Sequence, residues 1–268
     1  MNAITLVFGN FKGGVGKTTN STMTALELAR RGKKTLVVDL DPQGNATNLF
    51  LKTKQNVEKE MVVFDKTLMA AIRDKQLDEA LVNITENLDI LASAPDFSLY
   101  PRYMESISDR YSERVVYLSK LLQPLRETYD YIIIDIPPTI SLITDSALYA
   151  SDYCVIILQT QERSLQGAEA FVEYIQKEVI DKFQAPRLDV LGVLPVLLKN
   201  GAPVDLNTLD SAKQIFGEEN MFSTTIKNME RLKRYDVSGV TFDDQFDQKV
   251  QRVYRQVTDE VLDRIHVE

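Results

Sequence analysis

The sequence predicts an α/β fold, a doubly wound and mostly parallel central sheet flanked by helices. Three observations predict it. Short apolar, β-branched runs alternate with segments of helical periodicity along most of the chain. A glycine-rich loop, Lys12-Gly13-Gly14-Val15-Gly16-Lys17-Thr18-Thr19, joins the first run to the first helical segment. Two later runs end in aspartate, at Asp39 and Asp135, which places acids at the edge of the sheet where open α/β folds bind ligands.

The elements follow in order. Ala3 to Phe8 is short and apolar throughout, as a buried parallel strand should be. Thr18 to Arg31 has Met23, Leu26, Leu28 and Ala29 on or near one face, with Gly32 as its stop. Lys34 to Leu40 reads as the second strand and Leu88 to Ala92 as a short one, followed by Tyr131 to Ile136, Tyr153 to Gln159 and Leu188 to Leu194. Met221 to Thr224 is expected to be a short edge strand. Helices are expected at Ser141–Ala150, Leu165–Phe183, Leu206–Phe216 and from about Asp244 to Ile265. The stretch 52–129 is the least regular, polar from Lys52 to Glu60, with helix-like pieces at Asp65–Arg73 and Ser106–Leu125. It reads as an elaboration around the sheet, within a single domain spanning 1–268.

The loop carries chemistry. Glycines let backbone N–H groups close around phosphate oxygens, and the helix that follows contributes its positive N-terminal end. Lys17 occupies the usual loop-lysine position, for the β- and γ-phosphates, and Thr18 is placed for Mg²⁺. Lys12 is surplus. At the start of the loop it is badly placed to serve its own nucleotide, which points to completion of the site by another subunit. The standard pattern wants glycine at position 11, where this chain has Phe11.

Composition excludes several classes. No stretch of about 18 apolar residues occurs, so no transmembrane helix is expected. The first strand starts almost at once, so neither a signal peptide nor a preceding domain is expected. One cysteine, Cys154, lies in an apolar run and reads as a core residue, which suits a reducing cytoplasm. With one histidine, His266, neither a histidine metal site nor a Ser-His-Asp triad can be built. The net charge of −8 argues against a wholly DNA-coating protein but permits a local basic patch.

The loop at 12–19, the segment Val38-Asp39-Leu40-Asp41-Pro42-Gln43-Gly44-Asn45 and the segment Tyr131-Ile132-Ile133-Ile134-Asp135-Ile136-Pro137-Pro138 resemble, in order and spacing, the ParA/MinD family of ATPases with a deviant phosphate loop. The resemblance implies a P-loop ATPase using ATP and Mg²⁺. It implies that Lys12 reaches the partner's phosphates, that Asp41 orients the attacking water, that Asp39 supports Mg²⁺ waters or the loop, and that Asp135 binds Mg²⁺ through water or Thr18. It also implies an ATP-dependent homodimer, non-specific DNA binding and a ParB-like centromere-binding partner, in a cytoplasmic, nucleoid-associated protein. The chain is similar to the short class, without an N-terminal helix-turn-helix.

Gln159 to Gly167 echoes the family's polar segment and is expected near the dimer face. Leu194-Pro195-Val196 either flanks the adenine, through Pro195 and Val196, or is a plain strand exit. Beyond about residue 200 the pattern departs from the family. Lys227 stands where the family has arginine, and a Glu-Ala pair is missing. Lys227, Arg231, Lys233 and Arg234, with Lys199 second, are the candidates for DNA phosphate contact, against a solvated helix face. A MinD-like membrane-positioning ATPase is the alternative. It needs a basic amphipathic tail helix, whereas Val250, Val253, Val257, Val261 and Ile265 form a stripe suited to packing on the body. A nitrogenase iron protein would need paired cysteines. A ligase or kinase on the same fold has no readable substrate pocket.

Overall fold

The computed structural model describes residues 2–59, 62–198 and 203–266. Its centre is an eight-stranded sheet in the order β3-β4-β2-β5-β1-β6-β7-β8. The strands are β1 (Ile4–Gly9), β2 (Thr35–Asp39), β3 (Leu81–Thr85), β4 (Leu88–Leu91), β5 (Tyr131–Asp135), β6 (Tyr153–Gln159), β7 (Asp189–Leu198) and β8 (Ile226–Lys227). All neighbours are parallel except β3 and β4, which form an antiparallel pair at one edge. The central strands are buried along nearly their whole length and mostly apolar, because both faces are covered.

Alternation assigns the faces. Leu6, Phe8, Val37, Ile133, Val155 and Ile157 point to one side, against α1 (Lys17–Arg30), α2 (Asn45–Glu58), α9 (Glu230–Ser238) and α10 (Gln245–His266). Val7, Leu36, Val38, Ile132, Ile134 and Ile156 point to the other. There they meet α3 (Leu68–Asp74), α4 (Tyr100–Ile107), α5 (Tyr111–Arg126), α6 (Leu142–Ala150) and α7, which runs from Glu162 to Tyr174 and continues as a π-helix from Ile175 to Lys182. The last helix before β8 is α8 (Pro203–Phe216).

Four sequence expectations change. The stretch 52–129 does more than wrap around the sheet, since besides β4, expected at Leu88–Ala92, it supplies β3 and so builds one edge. Lys52 to Glu58, read as polar irregular chain, is the second half of α2, whose buried face is Ala46, Leu49, Phe50 and Thr53 at helical spacing. Met221 to Thr224 is not a strand. It makes one bridge, Val193 to Met221, and then the Glu260 carboxylate takes the Ser223 and Thr224 N–H groups, at 2.7 and 2.9 Å. Pairing with β7 resumes at Ile226. Near the start of the expected Ser106–Leu125 helix, Ser108 is extended, and α4 ends there before α5 begins at Tyr111.

The tail helix packs on the body through most of its expected stripe: Val250, Val257, Val261 and Ile265 are buried, Val253 is half-buried, and Tyr254, outside that stripe, is buried and reaches Asn20 of α1. The Arg31–Asp259 ion pair at 2.7 Å adds a surface tie between the same two helices.

At the end of the sheet opposite the glycine loop, the Arg126 guanidinium donates to both Asp152 oxygens and to the Thr5 hydroxyl, while Asp152 accepts the Thr5 N–H at 2.7 Å. Arg126 and Asp152 are buried together. Removing one partner strands the other charge. Asp152→Ala is therefore expected to destabilise the fold by about 3–5 kcal/mol, read from urea melts; a loss below about 1 kcal/mol, the range of exposed pairs, would show that the pair is solvated.

Candidate nucleotide site

The loop is fastened from its first residue. Asn10 donates its side-chain amide to the Ile157 carbonyl (2.7 Å) and the Ser164 carbonyl (3.1 Å), and its Oδ1 accepts the Lys12 N–H at 2.8 Å. Gly167 is small for a reason, because a Cβ there would lie 2.7 Å from Asn10 Oδ1. Phe11, at the position where the standard loop has glycine, sets its ring edge-on against Phe171 (4.9 Å) and Tyr174 (5.4 Å). The deviation from the standard motif thus anchors the loop to α7. Gly14 and Gly16 take left-handed conformations, with φ of 72° and 96°, which strain any residue with a Cβ. Val15 between them is buried. No side chain caps α1 at Gly16, so its N-terminal N–H groups are open to an anion.

Lys17 is buried, and its ammonium donates to the carbonyls of Asn10 and Lys12, both at 3.1 Å. Burial lowers its pKa to about 8, with Asp135 and Asp41 opposing the shift. Lys12 goes elsewhere. Its Nζ donates to Gln159 Oε1 (3.3 Å) and Gln161 Oε1 (2.6 Å), at the end of β6. The structure therefore brings Lys17, Thr18, Asp39, Asp41 and Asp135 around one cleft and holds Lys12 beside it.

Asp39 and Asp135 are register partners on adjacent strands, and neither is exposed. Burial raises both carboxyls above the ordinary range, and Asp39 raises Asp135 further. Their bonding differs. Asp39 Oδ1 accepts the Asp41 N–H (3.1 Å), and Oδ2 accepts the Thr47 N–H (2.9 Å) and hydroxyl (2.7 Å). Of the two roles expected for Asp39, the geometry matches support of the loop. Asp135 Oδ1 accepts from Ser21, while Oδ2 has no partner although buried. Thr18 lies close enough for its hydroxyl to favour the charged form of Asp135. Among the described residues no group of three or more acids, histidines or cysteines could hold a metal alone. The orphaned oxygen of Asp135 beside Thr18 fits Mg²⁺, which typically takes one or two protein oxygens and completes its shell with water and phosphate.

Two cavities meet at Gly14, Gly16 and Thr19. The larger, about 790 Å³, has a mixed lining that includes Lys17, Thr18, Asp41 and Pro138. The smaller, about 220 Å³, is lined by Val196, Leu197, Met229, Leu232 and Tyr254. Of the two residues expected beside a base, Val196 lines this smaller cavity and Pro195 does not; Leu197 and Met229, which the sequence reading did not single out, line it as well. Other missed residues are Asn10 and Thr47.

The basic candidates separate. Lys227 and Arg234 are exposed. Lys233 pairs with Glu230 at 2.7 Å. Arg231 is not a surface cation as the sequence suggested. It pairs with Asp244 and with Asp247 (3.4 Å) at the start of α10 and lies over the Phe246 ring, with 18% of its side chain exposed. Lys199 lies outside the described residues. Helix α9 is also tied to α2: Lys52 donates to the Asp236 carbonyl and Asn56 to the Ser238 carbonyl, each at 2.6 Å. Gly239, at φ 76°, passes so close that a Cβ would lie 2.6 Å from Lys52.

Residues 3–190 match the family model described as AAA domain. The sporulation initiation inhibitor protein Soj of Bacillus subtilis is 32% identical, over 86% of each chain. The chromosome partitioning protein ParA of Myxococcus xanthus is 30% identical over 85% of this chain and 76% of its own. The chain belongs to the ParA family of P-loop ATPases. The fold of this ParA-family chain is shared with McdA of Cyanothece, whose apo structure superposes with a TM-score of 0.80 at 23% identity, over 97% of this chain and 99% of McdA. A complex of a McdA variant with ATP has the same score at 22% identity, covering 97% and 96%.

The position of Lys17 gives a pH dependence. Burial favours the neutral amine, whereas a polyphosphate favours the ammonium, so above pH 8 binding must take up a proton. Tripolyphosphate affinity is expected to be level up to about pH 8 and to fall by at most about tenfold per unit above it. Calorimetry in buffers of different ionisation enthalpy checks the proton uptake; Lys17→Met should abolish it. Uptake that persists in that variant would assign the proton to another group.

Proposed function

We propose that this protein is an ATP-driven dimerisation switch that binds DNA without sequence preference and serves the partition of a plasmid or chromosome. The observation that carries the reading is the division of labour between two loop lysines. Lys17 is turned into its own loop, while Lys12 sits on Gln159 and Gln161 at the rim, where a second subunit could meet it. The names of the Soj and ParA relatives support the partition role, and the McdA complex with ATP supports the nucleotide.

In this reading Gly13, Gly14, Val15, Gly16, Lys17, Thr18 and Thr19 bind the phosphates, with backbone N–H groups and the start of α1 supplying positive potential. Val196, with Leu197 and Met229, covers the base. Thr18 and Asp135 hold Mg²⁺, which when bound neutralises phosphate charge. Asp41 orients water for attack on the γ-phosphate. Its role is orientation and late proton acceptance rather than early abstraction. Lys12 reaches across a two-fold axis to the partner's nucleotide, so ATP completes the dimer. Slow hydrolysis, accelerated by a ParB-like centromere-binding partner, reverses it.

DNA binding follows oligomeric state. Lys227 and Arg234, with Lys233 as a weaker third, give one subunit few phosphate contacts and an affinity of about 10⁻⁴ to 10⁻⁶ M at best. Two such faces on one rigid body add roughly 10² or more in avidity. This places the protein on the nucleoid, in the cytoplasm. The membrane alternative is disfavoured because the apolar stripe of α10 is spent on the body, and no helix among the described residues is long and apolar enough to cross a membrane.

Lys12→Ala is expected to bind ATP but to remain monomeric in light scattering when ATP is added. An ATP-dependent dimer in that variant would remove the role in trans. Lys227→Ala with Arg234→Ala is expected to weaken binding to random duplex DNA and to reduce the salt slope by about 0.9 per lost phosphate contact. An unchanged slope would put the DNA face elsewhere.

A further inference from the structure

Helix α2 begins in an unusual way. Its cap is Gly44, in the left-handed region, and no side chain within the turn caps it. The cap comes from another strand. Asp39, at the end of β2, accepts the N–H of Thr47, the third residue of the helix, so a buried carboxylate sits at the positive end of α2. The same oxygen accepts the Thr47 hydroxyl at 2.7 Å. That hydroxyl is itself an acceptor, for the Ser93 N–H at 2.9 Å, just past the end of β4. A hydroxyl has one proton. Ser93 meets the hydroxyl with a donor and Asp39 meets it with an acceptor, so the proton goes to Asp39. Thr47 is 3% exposed and Asp39 is fully buried, so water does not substitute for either bond.

The other Asp39 oxygen accepts the backbone N–H of Asp41. The orientation of the Asp39 carboxylate therefore sets where the chain leaves β2 at Asp41. Asp41 then closes its own turn, its Oδ1 accepting the Gln43 N–H at 2.9 Å and its carbonyl the Gly44 N–H at 2.8 Å. We infer that Thr47 is a positioning residue for Asp41, holding through its hydroxyl the carboxylate that fixes the Asp41 backbone in the cleft. This inference rests on the proposed role of Asp41 in orienting water.

The bonding sequence runs Ser93 N–H to Thr47 hydroxyl to Asp39 carboxylate to Asp41 N–H. Every link is buried or half-buried, and each joins a different piece of the fold: the end of β4, the start of α2, the end of β2 and the loop between. Valine has the shape of threonine without the hydroxyl. Thr47→Val keeps the Thr47 backbone bond to Asp39 but removes one of the carboxylate's three donors and leaves the Ser93 N–H unmatched. A shift of the order of 1 Å in a positioning group costs about 10²-fold in rate. Thr47→Ser keeps the hydroxyl and loses only a methyl group.

The test measures steady-state ATP turnover of the full chain for wild type, Thr47→Val, Thr47→Ser and Asp41→Ala, with circular dichroism melts and ATP-dependent light scattering on each. Thr47→Val is expected to lose about 10- to 100-fold in kcat, with KM for ATP within about twofold and the ATP dimer retained; Thr47→Ser should recover most of the turnover. Thr47→Val introduced into Asp41→Ala should add little further loss, because residues acting through one group are not additive. Should Thr47→Val fail to fold, Thr47→Ala against Thr47→Ser gives the same comparison. Wild-type turnover in Thr47→Val overturns the inference, as does a Thr47→Ser variant as slow as Thr47→Val, which would assign the effect to packing. A raised KM with unchanged kcat also overturns it, since Thr47 would then support nucleotide binding. Wild-type turnover in Asp41→Ala sinks instead the role of Asp41 itself. An inactive Asp41→Ala beside an active Thr47→Val leaves that role standing and removes only the link through Thr47.

Discussion

Two carboxyl groups buried side by side at the ends of β2 and β5 are the constraint around which the nucleotide end of this fold is built. Asp39 and Asp135 are direct neighbours in register, and neither touches solvent. Carboxylates so placed are expensive unless hydrogen bonds or cations meet them. The surrounding elements supply both. Asp39 is met by the loop and by the start of α2. Asp135 is met by Ser21 of α1 and by the charge of Lys17. Parallel strands put both acids at one sheet edge, and the β1 loop lies beside them because β1 is the next strand after β5. One Asp135 oxygen is left buried and unpartnered by this arrangement.

The same edge explains why two lysines in one short loop behave differently. Lys17 follows Gly16 at the start of α1 and points into the loop, with its charge damped by burial. Lys12 follows Phe11, whose ring is clamped against Phe171 and Tyr174, and Asn10, whose amide is tied to β6 and α7. The backbone from 10 to 12 is thus fixed to α7, and Lys12 has only the outer rim within reach. Glutamines, being neutral, hold its ammonium without cancelling its charge. A carboxylate at 159 or 161 would bind it more tightly in a charge-assisted pair.

Much of this was legible in the sequence because it depends on local chemistry. Apolar runs, the glycine loop and the two strand-terminal acids need no tertiary information to be recognised. The missed features all depend on residues distant in the chain. Helix α2 has no serine, threonine or aspartate at its own cap, because Asp39 caps it from β2. The hydroxyl of Thr47 has meaning only once β4 delivers Ser93. Glu260 ends the expected strand at Thr224 from α10, and Asp244 and Asp247 withdraw Arg231 from the basic face. Phe11 looked like a departure from a motif, and only the packing of α7 shows it as an anchor.

The loss of Arg231 to an internal pair sharpens the argument about DNA. A chain with net charge −8 repels a polyanion at long range. In the proposed DNA binding, the favourable term comes from a compact local patch within about a Debye length, 8 Å at physiological salt. Of the four cations expected from β8 to α9, Lys227 and Arg234 are exposed with no ion pair among the described residues, and Lys233 is already engaged with Glu230. A patch of that size on an acidic body is weak by itself. Its strength is set by how many copies face the same duplex, so any device that controls the number of copies controls the affinity. Helix α2 has its first turn on Asp39 and its last turns against α9. The carboxylate that shapes the nucleotide cleft and the helix that carries the basic face therefore share one rigid support.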